Sequence, residues 1–260
     1  MELVISEKSK KELFIATFQN LKNCSTIITI AFKPSHFYIQ GMDKSQVCMY
    51  DITLQDNWFD KYEVEEEIVI HIDSSTIFTI TNLATEFYNI HFQFNKVRAD
   101  YLTIRLTCDS SYKTTETVFD KEFSIPLIDL DYEFLHIPEE EYEAEFILNS
   151  KRFYELISQL VVFGNDINFK CDMTEIVMNS NGILGEMKVV IDANDIEEYA
   201  IFENEKVNNS FYLNNIFKMC LNYKITPNIE LFLSNSKPLK INYKVDESSY
   251  ISFYIAPKID

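Results

Sequence analysis

Glycine is nearly missing from this chain. Four glycines in 260 residues, at positions 41, 164, 182 and 185, cannot build a glycine-rich phosphate cradle, which excludes P-loop and dinucleotide fingerprints and with them an ATPase motor. Long apolar runs are missing too. None approaches the ~20 residues that a membrane helix needs, and no basic segment followed by an apolar run opens the sequence. The expectation is a soluble, intracellular chain without a membrane partner. Five cysteines (Cys24, Cys48, Cys108, Cys171, Cys220) stand far apart with no CxxC pair, which points to reduced, buried thiols. The four histidines (His36, His71, His91, His136) have neither HExxH nor other metal-ligand spacing, and no nucleophile elbow accompanies them. No cofactor, metal or catalytic residue is assigned, and the chain reads as no enzyme.

Positive charge is also in short supply. Lys and Arg number 23 against 41 Asp and Glu, a net charge of −18. Taken alone, that sum argues against nucleic acid, because phosphate contacts need cations. A field is local at physiological salt, however, where screening acts over ~8 Å. The acids are clumped at Glu63 to Glu67, Pro138 to Glu145 and Asp195 to Glu205, whereas Lys8, Lys10 and Lys11 gather elsewhere.

What the chain has in abundance is aromatic: 21 Phe and 15 Tyr. Such residues suit a pleated, half-buried surface, so strands should dominate. With little glycine, turns should rely on Asn, Asp and Ser. The sequence is also written twice. "ELVISEKSKKELFIATFQNL" leads into "STIITIAF", "HFYIQGM" and "CMYDITL"; from the middle, "AEFILNSKRFYELISQL" leads into "NDINFKCD", "EIVMNS" and "EMKVVID". Each copy runs strand, Ser-Lys-basic, amphipathic helix, then strands, and an offset of roughly 140 residues fits a duplicated domain. Phe14, Phe18 and Leu21 make one helical stripe; Phe153, Leu156, Ile157 and Leu160 make the other. A second helix is expected in each half, weakly over Ser74 to Ala84, where β-branched residues oppose it, and more firmly over Phe211 to Tyr223. The fold class is therefore α+β, two domains of like plan, each with curved antiparallel sheets and two helices. The division falls at residues 1–118, a connector at 119–139, and residues 140–260.

The stretches "GMDKSQV" (Gly41 to Val47), "IDLDYEFLHIPEEEY" (Ile128 to Tyr142), "SKPLKINYKV" (Ser236 to Val245) and the final "YIAPKID" occur in an order that resembles the proliferating cell nuclear antigen family of DNA sliding clamps across the whole chain. The resemblance implies a homotrimer closed head to tail into a six-domain ring, helices inward. It implies a DNA polymerase processivity factor that encircles duplex DNA without reading sequence, and that tethers polymerase, nuclease and ligase clients in replication and repair. A clamp loader is a further candidate partner. The setting implied is the nucleus, or a viral replication compartment. DNA-facing candidates are Lys8, Lys10, Lys11, Lys22, Lys151, Arg152, Lys218 and Lys224. The family's client pocket, which takes a short helical turn and two aromatic side chains, maps onto Met42, Gln46, Val47 and Met49. It continues over Leu135, Ile137 and Pro138 of the connector, then Pro238, Tyr254, Ala256 and Pro257. Methionine suits a surface that takes several partners, because it repacks easily.

Five departures stand out. Gln46 replaces the family's usual histidine, and Pro126 is extra in a connector about two residues longer. Thr79 and Thr81 stand where lysines are usual, and Glu155 and Ser158 where arginines are usual, so the DNA-facing surface should be less positive than in a typical clamp. The family's modifiable lysine falls near Met173. Three alternatives stay open: one subunit of a heterotrimeric checkpoint-type clamp, a metal-dependent nuclease using Asp129 and Asp131, which would share a face if extended, or a clamp-like fold retained for a transcription-factor or structural role.

Overall fold

The structure, a computed structural model, describes residues 1–108, 119–138, 140–220 and 223–258. Ile259 and Asp260 of the final motif, and the 118 end of the expected first domain, lie outside the described residues. The chain divides into two compact units. The first comprises Met1–Gly41, Asp51–Leu135 and Asp246–Ser249; the second comprises Met42–Tyr50, His136–Val245 and Tyr250–Asp260.

The first unit opens with β1 (Glu2–Ile5) and α1 (Lys8–Cys24), then β2 (Ile27–Phe32), β3 (His36–Met42), whose last residue belongs to the second unit, and β4 (Cys48–Gln55), whose first three residues do. It continues with β5 (Lys61–Glu63), β6 (Ile68–Asp73), α2 (Ser74–Thr81), β7 (Tyr88–Gln93), β8 (Tyr101–Cys108) and β9 (Lys121–Pro126). One sheet runs β5-β1-β7-β8-β9, and β2 pairs antiparallel with both β3 and β6. Phe14 is the hub of the core. Its ring lies 4.8 to 6.3 Å from those of Phe18, Phe37, Phe92 and Trp58, so α1 is locked to both strand layers by aromatic contacts. Each such buried ring contributes ~1.5–3 kcal/mol. The weak helix forms as α2 because the Asp73 carboxylate accepts the Thr76 N–H at 2.7 Å, a cap that offsets its β-branched residues. Strand β9 departs from the sequence reading: it occupies the start of the segment read as connector. Pro126 is tolerated there because it closes an edge strand, where an N–H is dispensable.

The second unit repeats the plan. Its elements are β10 (Ala144–Asn149), α3 (Ser150–Phe163), β11 (Asp166–Cys171), β12 (Glu175–Gly182), β13 (Gly185–Asp192) and β14 (Tyr199–Ile201). There follow β15 (Val207–Tyr212), α4 (Leu213–Cys220), β16 (Asn228–Leu233), β17 (Leu239–Lys244) and β18 (Tyr250–Ile255). The ladders run β14-β10-β16-β17-β18 and β13-β12-β11-β15, with α3 packed on α4. Helix α3 is capped by Asn149, whose side-chain oxygen accepts the Arg152 N–H at 3.1 Å. It stops at Gly164, where a Cβ would come within 2.5 Å of the Asn181 carbonyl oxygen, so the helix end can press onto β12 only without a side chain.

Aspartate replaces glycine in the turns, as the composition implied. Asp43, Asp172, Asp192 and Asp246 each accept backbone N–H bonds from residues two or more positions ahead. All five cysteines are buried and outside any disulfide, and burial pushes the Cys171 and Cys220 thiols up to about 12.

Candidate nucleic-acid interface and partner pocket

Charge is sorted by element. The four helices hold seven of the 23 basic residues and only two of the 41 acidic ones, Glu12 and Glu155. On α1 the solvent-facing positions include Lys8, Glu12, Gln19 and Lys22; on α3 they include Lys151, Arg152, Glu155 and Gln159. Neither helix has an acid in its first turn. Cations there oppose the helix dipole at ~0.3–1 kcal/mol each, so the dipole does not account for their placement.

The individual cations differ. Lys8 is exposed and reaches Glu86 at 3.5 Å. Lys10 is half-buried, 3.8 Å from both Glu7 and Asp60. Lys22 closes α1, its Nζ 3.9 Å from the Phe78 ring centroid. Lys151, Arg152, Lys218 and Lys224 are exposed.

Lys11 corrects the sequence reading. It is 3% exposed, and its ammonium donates to the carbonyls of Thr85, Glu86 and Tyr88 at 3.4, 3.0 and 2.6 Å. It ties α1 to the loop before β7 and offers nothing to a phosphate. Thr81 is likewise buried, its hydroxyl bonded to the Ile77 carbonyl, while Thr79 is exposed and polar without charge. Glu155 is exposed, and Ser158 turns back to the Tyr154 carbonyl.

Ten of the eleven pocket residues belong to the second unit: Met42, Gln46, Val47, Met49, Ile137, Pro138, Pro238, Tyr254, Ala256 and Pro257. The loop from Met42 to Cys48 is organised by Asp43. Its carboxylate accepts the Val47 and Cys48 N–H groups at 2.8 Å each and the Ser45 hydroxyl. Partial burial pushes that carboxyl up, but the bonds from Ser45, Cys48 and Val47 outweigh it and hold the group below the usual aspartate range. Gln46 takes the left-handed conformation, φ 57°, at the tip and is exposed. Val47, half-buried, accepts the Ala256 N–H at 2.9 Å, which brings the loop and the segment after β18 side by side. That segment is fixed again at Lys258, whose N–H reaches the Ser210 carbonyl at 2.8 Å and whose Nζ reaches Asp166 at 2.5 Å. Met42, Pro138 and Pro238 are exposed; Met49, Ile137, Tyr254 and Pro257 are half-buried. Leu135 belongs to the first unit and is exposed.

Asp129 and Asp131 are both exposed. Among the described residues no group of three or more His, Cys, Asp or Glu is arranged to hold a metal.

A duplicated α+β fold, basic on its helices and acidic elsewhere, defines a DNA sliding clamp. The family models described as proliferating cell nuclear antigen, N-terminal domain, and proliferating cell nuclear antigen, C-terminal domain, match residues 7–134 and 136–258. The chain belongs to the proliferating cell nuclear antigen family. Among its relatives, the proliferating cell nuclear antigen of Chaetomium thermophilum is 24% identical over 231 residues, covering 85% of each chain. Proliferating cell nuclear antigen 2 of Drosophila melanogaster is 22% identical over 225 residues, covering 85% of this chain and 84% of that one. In three dimensions the crystal structure of PCNA from Thermococcus kodakaraensis is similar over 99% of both chains, with a TM-score of 0.85 at 18% identity.

Proposed function

We propose that three copies of this chain close head to tail around duplex DNA. Their helices face the duplex, and the ring tethers polymerase, nuclease and ligase clients by the loop at Met42 to Met49. The observation that carries the reading is the sorting of charge: in a chain with nearly twice as many acids as bases, the helices carry, besides the buried Lys11, six cations and two anions. Cations that contact only phosphates hold without reading sequence and permit sliding. Of the cations expected to face DNA, Lys8, Lys10, Lys22, Lys151, Arg152, Lys218 and Lys224 remain in this assignment.

Strand edges support closure. β9 and β13 are edge strands of their sheets, and both are largely exposed. Such edges are a liability in a lone chain, and a closing heterologous contact removes them. Residues 127–139, which follow β9, act as the connector, and Pro257 with Val47, Met42 and Tyr254 receives a helical turn with two aromatic side chains. Tethering works through effective concentration, so a weak contact is enough. The reading places the protein in the nucleus, or in a viral replication compartment, with a clamp loader as an additional partner.

Light scattering tests the assembly: three times the 30.6 kDa of one chain supports a homotrimer, and a single-chain mass overturns it in favour of one subunit of a mixed ring. Topology tests the rest. A ring stays on closed circular DNA, runs off linear DNA and lengthens polymerase runs; labelled DNA cut in the presence of Mg²⁺ would instead support a nuclease.

A further inference from the structure

We propose that Gln40 is the positioning residue of the connector: its side-chain amide pins the backbone of Leu135 and so fixes how that segment meets a client. The inference rests on the client-binding reading above.

Gln40 sits in β3 and is fully buried, 0% exposed. Its Oε1 accepts the Leu135 N–H at 2.6 Å, and its Nε2 donates to the Leu135 carbonyl at 2.9 Å. One side chain thus supplies one residue with the donor and acceptor that a neighbouring strand would supply. The remaining Nε2 hydrogen goes to the Tyr38 hydroxyl at 2.9 Å, so the buried amide leaves no donor unmet. Tyr132 closes the arrangement by donating its hydroxyl to the Gln40 carbonyl at 3.2 Å.

Burying an amide costs free energy unless every polar atom finds a partner. An aliphatic residue would fill an interior strand position at lower cost. What glutamine adds here is register. Aromatic packing also holds the segment: Phe134 lies 5.1 Å from Tyr38 and 5.5 Å from Tyr132, ring centroid to ring centroid. Rings can slide along one another, however, whereas a two-point amide contact fits one residue only. The outcome is an unusual pairing at Leu135, whose backbone is bonded on both sides while its side chain is 48% exposed. An apolar side chain held outward on a fixed backbone meets a partner without first losing conformational freedom, which is where preorganisation gains affinity.

The test compares the intact protein with Gln40→Met, which keeps the volume and removes both bonds, and with Gln40→Asn. The latter keeps an amide one methylene too short to span both Leu135 atoms. Hydrogen–deuterium exchange over residues 128–135 reads the anchor. Calorimetry with a synthetic peptide of one helical turn and two aromatic residues reads client affinity. Retention on circular DNA reads the rest of the ring. The expected result is faster exchange confined to that segment and a Kd raised on the order of 10-fold, with DNA retention unchanged. Faster exchange with an unaltered Kd overturns the proposal, as does unaltered exchange in both variants. A wild-type chain that takes up no such peptide overturns the client reading itself, and this proposal with it, even where exchange responds.

Discussion

The ammonium of Lys22 rests over the ring of Phe78, 3.9 Å from its centroid, where the last turn of α1 meets α2. The cation is favoured there twice, by the ring face and by the negative end of the α1 dipole. A lysine so oriented keeps its charge at a defined place, with no acidic partner among the described residues to neutralise it. Lys22→Ala should therefore weaken DNA retention and lower the salt dependence of binding by ~0.9 in log–log slope for each phosphate that the side chain neutralises. A salt series by fluorescence anisotropy measures this, and an unchanged slope would place Lys22 off the duplex.

The first turn of α3 should separate function from stability by sign. Lys151→Glu with Arg152→Glu replaces two exposed cations with anions at a helix N-terminus, which should raise stability by ~0.3–1 kcal/mol per position while weakening DNA retention. Chemical denaturation and DNA binding, measured on the same sample, should move in opposite directions. A variant that is both less stable and DNA-competent would refute the assignment.

Lys11 should behave in the contrary way. Three carbonyls converge on its buried ammonium, so Lys11→Met should cost ~2–4 kcal/mol in urea unfolding. The salt slope of DNA binding should not change, because the side chain never reaches solvent.

At the pocket, Val47→Glu places a charge beside the segment that follows β18. Client-peptide affinity should fall at least ~10-fold, with the mass of the assembly unaltered. Calorimetry and light scattering together check it.

Acid should loosen several turns together. Asp43, Asp172 and Asp246 are each held below the usual aspartate value of 3.8, and so is Asp192. A carboxyl with a lowered folded-state value adds stability that is complete above its unfolded value and is lost as pH falls through the folded one. Asp43→Asn should thus be destabilising at neutral pH, with the gap to wild type closing below 3.8. Thermal unfolding over a pH series measures it; a gap that persists in acid would mean that the carboxylate's charge is not what holds the loop.

Much of the fold is legible in the residues alone. The stripe Phe14, Phe18, Leu21 is buried as its spacing requires, as are Phe153, Ile157 and Leu160, and His36–Met42 forms the strand its alternation announces. Lys11 escapes the sequence reading although its signal is present: it stands three residues before Phe14, in phase with the buried stripe. Reading "KSKK" as a cluster hides that phase. α4 is shorter than its hydrophobic pattern suggests, because Phe211 and Tyr212 complete β15 opposite Ile167 and Asp166. Gln40 cannot be found from sequence, since its partner lies 95 residues away and the bond is to backbone, which leaves no side-chain signature. The charge sorting is visible only in outline, because the helix ends decide which lysines count.

Among the described residues strand β13 has a neighbour on one side only, and a row of amides cannot by itself tell a correct neighbour from any other extended chain. Selectivity must come from its outward residues, Glu186, Lys188 and Asp192, with Val190 the apolar one among them at 50% exposed. Fixed charges of both signs repel a strand that docks in the wrong register and so guard against fibrous stacking. Neutralising those three positions would remove that guard, and copies not yet assembled would clump rather than wait.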